Sequence, residues 1–103
     1  MKCLLMANGK YGDITAYYGL ADRADLVICA DGGANYAYQM GVLPDYIIGD
    51  LDSIRPEVRE YFNKQQVIFK AYPPAKDFTD TQLALETAED LGADEIIFVG
   101  TLG

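Results

Sequence analysis

Leu26-Val27-Ile28-Cys29-Ala30-Asp31-Gly32-Gly33-Ala34-Asn35 is the stretch that decides how this chain folds. An unbroken apolar run ends in an aspartate and two glycines, and the chain then takes on helical character. Continuous apolar runs of this length are expected of strands covered on both faces, as in parallel sheets. A helix entered straight from a strand is the connection that parallel strands require.

The pattern repeats on either side. Strands are predicted over Cys3–Ala7, Leu26–Ala30, Tyr46–Ile48, Val67–Phe69 and Glu95–Val99. Helices are predicted near Ile14–Leu20, Ala34–Met40, Pro56–Lys64 and Asp80–Leu91. Gly41 and Gly92 suit the left-handed position after a helix, and Pro56 with Glu57 suits a first turn. Thr79 with Gln82 matches a capping box, placing Asp80 in the first turn of the last helix. Leu83, Ala84, Thr87, Ala88 and Leu91 share one face of that helix, the side expected against the sheet. The alternation predicts an α/β fold: a three-layer α/β/α, Rossmann-like domain with a mainly parallel sheet and right-handed crossovers. Because Gly100-Thr101-Leu102-Gly103 reads as the start of a further loop, the expectation is a truncated N-terminal domain of a longer protein.

The composition narrows the chemistry. With 103 residues and half of them hydrophobic, the chain is one domain with a real core, and disorder is excluded. Eight basic residues against sixteen acidic give a formal charge of −8, which disfavours nucleic-acid binding. There is no histidine, so His-based triads and most zinc sites are excluded, and a metal would need oxygen ligands. That points to magnesium, calcium or manganese. Cys3 and Cys29 sit in apolar runs and read as buried small hydrophobes of a reducing compartment. The apolar run after Lys2 stops at Asn8-Gly9, too short for a signal-peptide core or a membrane span. A cytoplasmic protein with no membrane contact is expected.

Ligands of open parallel sheets bind beyond the carboxyl ends of the strands. Three acidic phrases fall there: Asp31-Gly32-Gly33-Ala34-Asn35, Gly49-Asp50-Leu51-Asp52-Ser53 and Asp77-Phe78-Thr79-Asp80-Thr81. In the first, the glycines permit close approach of a ligand to the backbone, and the helix start favours a phosphate. Asp31 acting only as a helix cap is the plainer alternative. In the second, two carboxylates at extended i, i+2 spacing point the same way and can chelate one Mg²⁺ that shares phosphate oxygens with a substrate. The alternative is an Asx turn in which Asp52 or Ser53 caps the Pro56 helix. In the third, two aspartates three residues apart open a helix, where the helix dipole alone would favour them. Convergence of all three on one edge favours a metal–phosphate site.

Together these phrases, with Pro44-Asp45-Tyr46-Ile47-Ile48 leading into the second, closely resemble the catalytic domain of the thiamine pyrophosphokinases (thiamine diphosphokinases). The resemblance spans essentially the whole chain. It implies an enzyme that transfers a pyrophosphoryl unit from ATP to the hydroxyl of thiamine, giving thiamine diphosphate and AMP. It implies that Asp50, Asp52 and Asp80 hold Mg²⁺ against the phosphates, that Asp77 belongs to the same catalytic motif, and that Asp31, Gly32, Gly33 and Asn35 form part of the nucleotide site. It also implies a C-terminal β-rich domain absent from residues 1–103, a homodimer for the full-length protein, and an incomplete or weak activity for this piece alone. Two rival readings stand beside it: a related pyrophosphokinase acting on another alcohol such as a hydroxymethylpterin, and a non-catalytic nucleotide- or metal-sensing module. A dinucleotide-dependent oxidoreductase is disfavoured, since no Gly-x-Gly-x-x-Gly follows the first strand.

Overall fold

The computed structural model describes residues 1–9, 11–12, 17–49, 51–71 and 80–100. In chain order its elements are β1 (Lys2–Met6), α1 (Tyr18–Arg23), β2 (Leu26–Ala30), α2 (Gly33–Met40), β3 (Tyr46–Gly49), a 3₁₀ turn (Leu51–Ser53), α3 (Pro56–Lys64), β4 (Ile68–Ala71), α4 (Asp80–Asp90) and β5 (Glu95–Val99). Every strand pairing is parallel, and the order across the sheet is β4-β3-β2-β1-β5.

The chain steps from β1 to β4 in one direction, then returns past β1 to place β5 on its far side. Right-handed crossovers put helices of the outward steps on one face and the helix of the return step on the other. The packing follows suit. Residues of α2 and α3 (Ala34, Ala37, Val58, Phe62) pack with Leu4, Met6, Val27, Cys29 and Ile47 on one face, joined by Leu20 and Ala21 of α1. On the other face α4 contributes Leu83, Ala84 and Ala88 to a cluster with Cys3, Leu5, Ile28, Ala30 and Ile48. The three-layer expectation holds.

Several boundaries differ from the sequence reading. The first strand is Lys2–Met6, the third extends to Gly49, and the fourth starts at Ile68 and runs to Ala71. The first helix is Tyr18–Arg23, later than expected; residues 13–16 lie outside the described residues, as does Thr79 of the anticipated capping box. Leu91 is 39% exposed and does not join the sheet-packing face. The reason is local: α4 stops at Asp90, and Gly92 at φ +94° turns the chain away.

Burial of the strands on both faces also fails at the edges. β2 is buried throughout, but Ile68 of β4 is 48% exposed and Phe98 of β5 41%. An edge strand has one neighbour, and the helix layers are centred over β1 to β3. Both cysteines are buried and free, as expected. Burial pushes the Cys3 thiol up to about 11 and the Cys29 thiol higher still. No described helix is long and apolar enough to cross a membrane.

Candidate active site at the carboxyl edge of the sheet

Parallel strands all leave the sheet at the same edge. β2 ends at Ala30 and delivers Asp31; β3 ends at Gly49 and leads to the 3₁₀ turn that carries Asp52; β4 leads toward α4, whose first residue is Asp80. These three strands are consecutive neighbours in the sheet. With strands spaced about 4.8 Å apart, their exits fall within roughly 10 Å of one another, the scale of a single triphosphate. Asp31 and Asp52 thus reach one edge; residues 72–79, which join β4 to Asp80, lie outside the described residues. Asp50 and Asp77 lie outside the described residues. Among the described residues no three metal-capable side chains gather around one point.

Asp31 has φ +51°, a left-handed conformation that aspartate tolerates better than most residues. Its N–H donates to the Ile48 carbonyl at 2.8 Å, so the sheet ladder extends through it, and its carbonyl accepts from Ala34 N–H. The N-cap of α2 is Gly32. Oδ1 of Asp31 is buried.

The glycines are explained by the protein's own packing. A Cβ on Gly33 would stand 2.1 Å from the Met6 carbonyl oxygen, and one on Gly32 would stand 2.4 Å from Asn8 Oδ1. The sequence reading assigned this close approach to a ligand; the structure shows that the end of β1 already makes it. The first turn of α2 therefore lies tight against β1, and its amino end opens at the carboxyl edge.

Asn35 is half-buried, and both ends of its amide engage backbone. Nδ2 donates to the Ser53 carbonyl at 2.9 Å, and Arg55 N–H donates to Oδ1 at 3.0 Å. Arg55 is the N-cap of α3 and makes no side-chain cap bond. The alternative in which Asp52 or Ser53 occupies the cap of the Pro56 helix is overturned, because the N-cap position falls to Arg55 and the Arg55 N–H is taken by the Asn35 amide of another helix.

Asp52 is exposed and lines a cleft of about 690 Å³. Leu51, Ile54 and Phe69 supply its apolar wall, while Arg59 and Asn63 supply polar groups. That volume lies inside the range of roughly 300–1,000 Å³ typical of small-molecule sites.

Sequence reasoning missed a second set of acids with a different task. Asp25, Asp45 and Asp94 stand just before β2, β3 and β5, at the amino edge. Asp25 accepts from Lys2 N–H at 2.9 Å and Asp45 from Val27 N–H at 2.8 Å. Asp94 pairs with the Met1 ammonium at 2.7 Å. The available signal was positional, an aspartate immediately preceding each of three strands.

Tyrosine supplies packing near the end of β1. Tyr11 is buried, donates to the Ala7 carbonyl at 2.7 Å and stacks on Tyr36 with ring centroids 4.1 Å apart. Burial raises its phenol well above the ordinary range.

A family model described as thiamin pyrophosphokinase, catalytic domain, matches residues 17–103. The chain is similar to thiamine pyrophosphokinase 1 of Oryza sativa subsp. japonica, at 35% identity over 105 residues, covering 82% of this chain and 40% of that protein. It is 31% identical over 99 residues to thiamine pyrophosphokinase of Bacillus subtilis, covering 96% of this chain and 46% of the relative. The solved structure of the Bacillus subtilis protein superposes with a TM-score of 0.74 at 29% identity, over all of this chain and 49% of that one. The yeast thiamin pyrophosphokinase structure gives 0.70 at 31% identity, over 85% of this chain and 31% of that one. The chain therefore spans less than half the length of each of these relatives.

Proposed function

The chain belongs to the thiamin pyrophosphokinase catalytic-domain family, and from that premise we propose that the protein it forms transfers a pyrophosphoryl group from ATP to the hydroxyl of thiamine. The hydroxyl oxygen forms a bond to the β-phosphorus, the bond from that phosphorus to the oxygen shared with the α-phosphate breaks, and AMP departs while the hydroxyl proton is lost. The observation that supports this most directly is that β2 and β3, adjacent parallel strands, deliver Asp31 and the 3₁₀ turn carrying Asp52 to the same edge of the sheet. Phosphoryl transfer depends on positioning and charge neutralisation, which a histidine-free acidic edge can supply.

The donor set suits a hard cation, because every candidate ligand is a carboxylate oxygen. Asp50, Asp52 and Asp80 are the residues that would hold Mg²⁺, with Asp77 in the same catalytic constellation. When bound, the ion neutralises the phosphate oxygens that would otherwise be repelled by this edge. Asp31 with Gly32 and Gly33 presents the amino end of α2 to the nucleotide, where the helix dipole favours an anion. Asn35 holds the neighbouring loop. In this reading the protein is a cytoplasmic homodimer, with ATP and thiamine as its substrates.

The test is Mg²⁺-dependent ATP binding by calorimetry, together with AMP release in the complete protein. Asp52→Asn is expected to weaken Mg²⁺–ATP binding at least about tenfold, as loss of a metal ligand should. Unchanged binding would refute the metal assignment. Thiamine-dependent AMP release supports the acceptor, whereas release with a hydroxymethylpterin alone would transfer the assignment to another alcohol.

A further inference from the structure

We propose that Asn35 is a positioning residue: it locks the acidic loop after β3 onto the first turn of α2 and sets the register between Asp31 and Asp52. The inference rests on the metal–nucleotide reading of this edge.

Two bonds from one side chain define the lock. Nδ2 donates to Ser53 O at 2.9 Å and Oδ1 accepts from Arg55 N–H at 3.0 Å, across sequence separations of 18 and 20 residues. A primary amide offers a donor and an acceptor from one planar group, so it satisfies a carbonyl and an N–H two residues apart. Aspartate would keep the acceptor and set a carboxylate oxygen against the Ser53 carbonyl; alanine would supply neither bond. Between the two anchor points, Ile54 N–H donates to the Leu51 carbonyl at 3.2 Å and closes the 3₁₀ turn that carries Asp52.

The other end of the lock is fixed as firmly. Asn35 N–H donates to the Gly32 carbonyl at 3.0 Å, inside the turn that follows Asp31. Gly33 in turn has no room to move toward β1, because the Met6 carbonyl stands where its Cβ would be. A continuous chain of contacts thus runs from β1 through α2 and the Asn35 amide to the Asp52 loop. Carboxylates gathered at one edge repel one another. The loop that bears them needs a restraint that is not itself charged, and a neutral amide bonded to backbone provides it.

The experiment uses the complete protein as wild type, Asn35→Ala and Asn35→Asp. Three quantities are read: exchange of the Arg55 amide by NMR, Mn²⁺ affinity in the presence of ATP by electron paramagnetic resonance, and ATP affinity without metal. In Asn35→Ala the Arg55 amide loses protection and Mn²⁺ affinity falls on the order of 10- to 100-fold, the usual effect of removing a support behind a metal ligand. ATP affinity measured without metal falls by clearly less than Mn²⁺ affinity does, because the lost bonds support the metal-bearing loop. Asn35→Asp retains the Arg55 protection and weakens Mn²⁺ binding by less.

An unchanged Mn²⁺ affinity in Asn35→Ala overturns the proposal, and so does an equal loss of ATP affinity with and without metal, which would make Asn35 a direct nucleotide contact. Should Asn35→Ala fail to fold, Asn35→Asp carries the test alone, and wild-type Mn²⁺ affinity in it is the overturning result. Failure of the wild-type protein to bind Mn²⁺ removes the underlying reading as well; it is distinguishable because it appears before any substitution is made.

Discussion

Replacing Gly33 by alanine sets two effects of opposite sign against each other. Gly33 opens α2, and helix propensity alone favours alanine over glycine by about 0.5–1 kcal/mol. The added Cβ, however, would lie 2.1 Å from the Met6 carbonyl oxygen, 2.9 Å from its carbon and 3.1 Å from the Ala7 carbonyl oxygen. Carbon–oxygen contacts settle near 3.3–3.6 Å, so α2 or the end of β1 must retreat by roughly 1 Å. Both partners are backbone held in regular structure, which places the cost toward the upper end of the 1–3 kcal/mol range for overpacking. A net loss of about 2 kcal/mol follows.

Urea denaturation followed by circular dichroism measures it. With a slope of about 1–2 kcal/mol/M for a domain of this size, the midpoint should fall by roughly 1–2 M. Gly19→Ala is the matched control. Gly19 lies in α1, and the nearest atom to its added Cβ is Arg23 Nη2 at 4.0 Å. That variant should gain up to about 1 kcal/mol from propensity with no opposing clash. If Gly33→Ala is as stable as Gly19→Ala, the claim that β1 dictates glycine here is wrong.

Two further outcomes are expected. Gln66 sits at φ +66° after α3, with Val67 N–H donating to the Phe62 carbonyl at 3.1 Å, the arrangement in which glycine normally ends a helix. Gln66→Gly should therefore stabilise the domain by about 0.5–1 kcal/mol, visible as a higher melting temperature; a lower one contradicts the conformational argument. The second outcome concerns alkaline pH. The thiols of Cys3 and Cys29 and the phenol of Tyr11 are all held above their ordinary values by burial. Their neutral forms are favoured in the folded state, so stability is intact below the ordinary thiol value of 9.0 and declines as pH rises beyond it. Cys29→Ala should make that decline shallower in denaturation midpoints measured from pH 8 to 10.5, and an identical slope would exclude the thiol as a cause.

Much of the fold was legible because its signals are local. The apolar runs at Leu26–Ala30 and Glu95–Val99 and the proline start of α3 need only neighbouring residues to be read. Gly41 and Gly92 likewise announce helix ends by the left-handed backbone they permit. Gln66 does the same work without a glycine, so nothing in the sequence flagged it. Leu91 was misassigned because helical periodicity continues past the residue where the backbone actually turns.

By itself the sequence determined the element types and the parallel sheet, since apolar periodicity and turn chemistry act over a few residues. Only the tertiary structure decided strand order, that Asp25, Asp45 and Asp94 tie down the amino edge, and why two glycines stand at the start of α2. It also decided that Asn35 reaches across 18 residues to hold the loop of another strand. Such roles depend on distances between segments far apart in the chain, and no local pattern of residues encodes a distance of that kind.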